Sequence, residues 1–183
     1  MPRKKNPEFA VIGLGRFGRA VAMTLAEHGL TVVGIDRDQR VIQNLSEDIT
    51  QTITLDANDE DALREADIQL YDTVVVTLER DFKSKLLTTL TLKALGVKRV
   101  ICTAASERER AILLKVGADQ VVLPEYDSGR RLALTLAMPT HLGDLPLGEH
   151  SALRLILTPT AFIGQSPHAI DLQKKVQIDL TGA

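Results

Sequence analysis

Phe9-Ala10-Val11-Ile12-Gly13-Leu14-Gly15-Arg16-Phe17-Gly18-Arg19 decides the fold. It reads as a short apolar strand, a glycine-rich turn and the start of a helix. Gly13 allows the chain to turn sharply out of the strand. Gly15 has no Cβ, so a phosphate can approach the backbone, and Gly18 lets the helix pack close to the strand it has left. The amides that open such a helix have no partner within it, and the helix dipole adds positive potential at the same place. The glycine pattern alone is weak, and its context strengthens it. A helical pattern runs through Ala20-Val21-Ala22-Met23-Thr24-Leu25-Ala26 and closes at His28-Gly29. A second apolar strand, Thr31-Val32-Val33-Gly34-Ile35, ends in Asp36. That acid lies roughly 20 residues past the glycines, where a carboxylate accepts hydrogen bonds from ribose hydroxyls.

The same alternation continues. Asp38 is placed to cap a helix through Arg40–Leu45, and a third strand follows at Gln51–Leu55. Asp56-Ala57-Asn58-Asp59-Glu60 combines a strand-end acid with a helix start, and that helix is expected to reach Ile68. Thr73–Leu78 is apolar along nearly its whole length, as a central parallel strand covered on both faces must be. A helix from Phe82 to Leu95 stops at Gly96. Arg99–Cys102 is a fifth strand, Ser106–Val116 its helix, and Gln120–Leu123 a sixth strand ended by Pro124. Connections of this length join parallel strands through right-handed crossovers. The expected fold class is α/β, a doubly wound parallel Rossmann sheet of strand order 3-2-1-4-5-6, with ligands at the carboxyl ends of the strands. A long helix over Glu125–Met138 and a short, partial C-terminal lobe complete it. The expected division is a nucleotide-binding domain at 7–138, a Pro/Gly-rich linker at 139–150 and a truncated lobe at 151–183. Within that lobe, Leu153–Leu157 reads as a strand, Ile170–Leu172 as a short helix and Val176–Leu180 as a further strand.

Composition narrows the function classes. A hydrophobic content of 44% supplies a core, and with 3% aromatics it must be built from Val, Ile, Leu and Ala. A net charge of −2 gives no basic field for nucleic acid. One cysteine, Cys102, excludes an internal disulfide framework, fits a reducing cytoplasm and is expected as a small core residue. No apolar run reaches the ~18–20 residues of a membrane span, and the basic Met1–Lys5 start is followed by no signal region. The four histidines lack metal-ligand spacing; His28 is expected at a helix C-terminus.

Phe9–Gly18, the Asp36 strand end, Leu55-Asp56-Ala57-Asn58 and Val116-Gly117-Ala118-Asp119 with Pro124-Glu125 together resemble the RCK (KTN, TrkA-N) domain. The likeness is to the KtrA- and TrkA-like regulatory subunits of bacterial potassium-uptake systems. It covers residues 7 to about 138 well and the tail in part. The resemblance implies a nucleotide sensor rather than an enzyme: ADP, ATP or NAD(H) in the Rossmann crevice changes the shape of a subunit ring, which gates a membrane potassium channel or transporter. It implies a homodimer that assembles into a ring, an octamer, on the cytoplasmic face of the cell membrane. By position it assigns Gly13, Gly15 and Gly18 to the phosphate loop, with Leu14, Phe17 and Arg37 among the residues around the nucleotide. Arg16 would reach the terminal phosphates, Asp36 the ribose, and Asp56 and Ala57 the adenine. Thr77, Leu78 and Glu79 would form the floor. Glu125 would lie near the phosphates, where relatives use a carboxylate for a divalent cation, magnesium or calcium, beside ATP. Thr103 stands where relatives carry a lysine that approaches the phosphates, and the family's C-terminal lobe is longer than this tail.

Each assignment has a plainer counterpart. Asp36 could close a strand-end turn, Arg16 could be a solvated cation, Asp56 could cap the next helix, and Glu125 could be an acid favoured in a first helical turn. The rival functional class is an NAD-dependent oxidoreductase. Such an enzyme needs a second set of residues to hold substrate and move a proton, and no Ser-x-x-x-Lys pair, catalytic His or metal triad stands at a strand end. A third class is a nucleotide-responsive protein that acts without a channel.

Overall fold

The computed structural model describes residues 7–78, 81–137, 141–146, 152–156, 160 and 163–164. The chain divides into two units, Met1–Asp127 and Ser128–Ala183. The first alternates β1 (Glu8–Ile12), α1 (Arg16–Glu27), β2 (Thr31–Asp36), α2 (Gln39–Gln43), β3 (Gln51–Thr54), α3 (Glu60–Glu65), β4 (Thr73–Val76), α4 (Phe82–Ala94), β5 (Val100–Thr103), α5 (Glu107–Lys115) and β6 (Gln120–Val122). α6 (Pro124–Ala137) runs from the first unit into the second. All six strands pair in parallel in the order β3-β2-β1-β4-β5-β6, as the alternating pattern requires. Among the described residues, no helix is long and apolar enough to cross a membrane.

Strand alternation sends successive side chains to opposite faces and gives the sheet two cores. Ala10, Ile12, Val33, Ile35, Val74, Val76, Val100 and Cys102 meet Leu63 of α3, Leu92 of α4 and Leu113 of α5 on one face. Val11, Val32 and Val75 meet Leu14, Ala22, Ile42 and Leu45 on the other, the α1–α2 face. The helix starts follow from local chemistry. Asp38 accepts the Arg40 amide, Asp59 those of Asp61 and Ala62, Asp81 that of Ser84, and Ser106 that of Glu109. α1 differs: its N-cap is Gly15, which has no side chain to offer.

Several boundaries differ from the sequence reading. α3 ends at Glu65, and a single 3-10 turn over Ile68–Leu70 with Asp67 at φ 52° leads into β4. Pro124 ends β6 and also opens α6, a position where its missing N–H costs nothing. The expected linker at 139–150 contains β7 (His141–Pro146), antiparallel to β8 (Ala152–Ile156) in the second unit. Its glycine and proline are tolerated because the register is irregular between His141 and Gly143, and Pro146 is the last residue of the strand. Met1–Lys5 and the expected elements at Ile170–Leu172 and Val176–Leu180 lie outside the described residues.

One ion pair locks the edge of the sheet away from the glycine turn. An oxygen of Asp119 accepts the Val100 amide at 2.7 Å and the Lys93 ammonium at 3.0 Å. Burial pushes the Asp119 carboxyl up, but these two donors outweigh it and hold the group below its ordinary value. A carboxyl depressed in the fold stabilises above its unfolded pKa of about 3.9 and loses that contribution as pH falls through the folded value. Asp119→Asn is therefore expected to melt a few degrees below the wild type at pH 7, with the gap closing below about pH 4. Paired thermal melts from pH 7 to pH 3 check this. A gap that does not change with pH would show that the charge is not what stabilises.

Candidate nucleotide-binding cleft

Three strand ends converge at the carboxyl edge of the sheet. The Gly13 amide donates to the Ile35 carbonyl at 2.8 Å, and the Thr77 amide donates to the Ile12 carbonyl at 2.8 Å. These bonds hold the turn after β1 between the ends of β2 and β4. Gly13 has φ +88°, which a residue with a Cβ rarely adopts. A Cβ at Gly18 would collide with the Gly13 carbonyl oxygen and the Thr77 hydroxyl. The glycines thus have the two roles read from the sequence: one turns the chain, and one brings α1 against the turn.

Beside this turn lies a cleft of about 270 Å³, a little below the usual range of small-molecule sites. It is lined by Gly13 and Gly15, by Asp36 and Arg37, by Leu55–Asn58, and by Thr77, Leu78, Asp81 and Ser84, with Ile12 and Ile35. Among the described residues its ionisable lining is three aspartates and one arginine. Asp36 is half-buried and oriented by the backbone: Oδ2 accepts the Leu14 amide at 2.7 Å and Oδ1 the Asp38 amide at 2.9 Å. Each carboxylate oxygen has two lone pairs, so acceptor capacity remains on both. Asp56 does not cap α3, a role Asp59 takes; its Oδ1 instead accepts the Asn58 amide at 2.9 Å and the Asn58 side-chain amide at 3.0 Å. Both oxygens of Asp81 are held by Ser84, through its amide at 2.9 Å and its hydroxyl at 2.6 Å. These bonds, with help from the nearby Arg37 and Lys83 cations, keep the Asp81 carboxyl below its ordinary value.

The cleft brings together Gly13, Gly15, Asp36, Arg37, Asp56, Ala57, Thr77 and Leu78 of the residues expected there. It does not bring in Leu14, Arg16, Phe17, Gly18, Thr103 or Glu125. Leu14 is a core residue, 2% exposed, and only its amide serves the turn. Arg16 and Phe17 are the first two residues of α1, and Arg16 is exposed. Thr103 is buried at the end of β5; alternation puts it on the same face as Ile101, and its hydroxyl has no hydrogen-bond partner among the described residues. Glu125 is exposed in the first turn of α6. Among the described residues no group of three or more His, Cys, Asp or Glu side chains could hold a metal ion. Glu79 lies outside the described residues. His28 is the C-cap of α1, and Cys102 is fully buried with its thiol pushed up by that burial.

The sequence reading missed Asn58, Asp81 and Ser84, and it missed how polar the inner face of α4 is. Lys85, Thr88, Thr89 and Leu92 are all buried, at i, i+3, i+4 and i+7. The Thr88 hydroxyl donates to the Ala57 carbonyl at 3.0 Å and so fixes one wall of the cleft. The spacing was visible, but three of the four residues are polar, and a search for an apolar stripe passes over them.

Comparison with known proteins agrees with the geometry. The TrkA-N domain family matches residues 9–124. The chain is 32% identical over 173 residues to the Ktr system potassium uptake protein C of Bacillus subtilis, covering 94% of this chain and 78% of that protein. It is 30% identical over 177 residues to the Ktr system potassium uptake protein A of Vibrio alginolyticus, covering 97% and 80%. Among solved structures, the GsuK channel bound to NAD superposes with a TM-score of 0.63 at 17% identity, over 73% of this chain and 24% of that one. The same channel has been solved bound to ADP. With a family match over more than half of its length and relatives at this identity, the chain belongs to the TrkA-N (RCK) domain family.

Proposed function

We propose that the chain is a cytoplasmic regulatory subunit that binds ADP, ATP or NAD(H) in the cleft at the carboxyl edge of the sheet and thereby gates a membrane potassium transporter. The observation that carries the reading is the start of α1. Helices α2–α5 begin under a capping Asp or Ser, whereas α1 begins at a glycine, with no acid in its first turn, beside a cleft that also holds Asp36. A helix start of that kind offers amides and dipole to a diphosphate, while Asp36 offers oriented lone pairs to a ribose diol. Asp56 and Ala57 then flank the base, and Arg16 folds over the phosphates from the first turn of α1. The Ktr relatives supply the transport context and the GsuK structures the precedent for NAD and ADP.

Assembly belongs to the same reading. Leu132 and Leu136 of α6 are 60% and 74% exposed, and a second copy of the chain would cover them in a homodimer, the unit of a ring. Met138, the third residue expected in that contact, lies outside the described residues.

A thermal-shift panel of ADP, ATP, NAD, NADH and NADPH tests the binding. A ligand at 100 times its dissociation constant adds about 2.7 kcal/mol to stability. Arg16→Ala is expected to weaken ATP by about 10- to 150-fold, the effect of one charged hydrogen bond, and ADP or NAD by less. No shift with any nucleotide would remove the proposal; equal losses for ATP and NAD would place Arg16 on the shared diphosphate.

A further inference from the structure

The peptide unit between Gly13 and Leu14 is held at both ends. Its N–H, on Leu14, donates to Asp36 Oδ2 at 2.7 Å. Its carbonyl, on Gly13, accepts the hydroxyl of Thr77, which also lies 3.2 Å from the Ile12 carbonyl. Thr77 is 1% exposed, follows β4 directly and donates its own amide to the Ile12 carbonyl. Thr77 is therefore a wall of the cleft whose one hydroxyl proton is already committed to the turn. The carbonyl it holds is also the atom against which Gly18 packs. The Gly13–Leu14 plane thus fixes both where the chain enters Gly15 and how closely α1 approaches the sheet.

We infer that Thr77 is a positioning residue: its hydroxyl sets the orientation of the Gly13–Leu14 peptide, and so of the phosphate-binding start of α1, without touching the nucleotide. This rests on the nucleotide reading above and gives the buried hydroxyl a function beyond lining the cleft. Valine has nearly the same shape but no proton to donate, so Thr77→Val leaves the Gly13 carbonyl facing a methyl group. The Gly13–Leu14 peptide then loses one of its two holds, and the effect falls on the phosphate end. Adenosine carries the ribose and the base but no phosphate, so it does not depend on that end.

Calorimetry with ADP and with adenosine on wild type, Thr77→Val and Thr77→Ser tests this. Thr77→Val is expected to weaken ADP about five- to tenfold, the loss of a neutral hydrogen bond, while adenosine stays within about twofold. Thr77→Ser keeps the hydroxyl and should bind ADP within about twofold of wild type. If Thr77→Val does not fold, Thr77→Ala takes its place in the comparison with Thr77→Ser. Unchanged ADP affinity in the variant without the hydroxyl overturns the inference. So does an equal loss for ADP and adenosine, which would mean direct contact or general loosening. A serine variant as weak as the valine variant overturns it as well, because packing of the methyl would then be what matters. A wild type that binds no ADP removes the nucleotide reading itself, and this inference with it.

Discussion

Gly18→Ala is expected to lower the melting temperature by about 6–12 °C and to abolish nucleotide binding. In an exposed helix, glycine to alanine normally stabilises by up to ~1 kcal/mol, so the sign here must come from the surroundings. The added methyl would overlap the Gly13 carbonyl oxygen and the Thr77 hydroxyl. Neither can yield freely. Gly13 is tied to Ile35 through its amide and to Thr77 through its carbonyl, and Thr77 is tied to Ile12 through its amide. Overpacking of this kind costs about 1–3 kcal/mol, and collision with backbone puts it at the upper end. About 3 kcal/mol corresponds to ~6–12 °C in a chain of this size. Gly129, in α6, has no neighbour among the described residues within 4 Å of where a Cβ would stand and serves as the control. Gly129→Ala should leave the melting temperature equal or higher. Differential scanning calorimetry on the two variants decides the matter, and a Gly18→Ala protein as stable as Gly129→Ala would mean that α1 does not pack against the turn as described.

That contrast shows what was legible in the sequence. The order of strands and helices could be read because most breaks carry their own chemistry: glycine at 13, 29, 96 and 117 with positive φ, and Asp38 as a helix cap. The glycine turn and Asp36 could be read because their spacing follows from what a diphosphate and a ribose need. What could not be read depends on contacts between distant residues. Thr77 pins a carbonyl 64 residues away, and Thr88 one 31 residues away, and neither distance leaves a trace in local pattern. Lys85 reads as a surface lysine in a helix and is 2% exposed. β7 escaped notice because glycine and proline argue locally against a strand, while a bulge and a strand end accommodate both.

Asp36→Ala is expected to cost ADP, NAD and adenosine a shared loss of about 10- to 150-fold, because the ribose is common to all three and the lost interaction is a charged hydrogen bond. The structure adds a second reason. The carboxylate is also the acceptor of the Leu14 amide, so alanine frees the N–H end of the peptide that Thr77 holds by its carbonyl. Losses beyond the ribose contribution should therefore appear in ADP and NAD and not in adenosine. Asp36→Asn retains a carbonyl oxygen that can serve Leu14, and it should recover that additional loss while leaving the ribose contact weakened. Charge decides the remaining question. A 2′-phosphate would sit against Asp36, and like charges repel strongly in a half-buried cleft, while the neighbouring Arg37 is exposed to solvent and screened. The aspartate is expected to win, so the wild type should bind NADH more tightly than NADPH, and Asp36→Ala should narrow that difference. Competition titrations with the two dinucleotides measure both statements. NADPH binding more tightly than NADH in the wild type would assign the recognition to Arg37 and take the ribose away from Asp36.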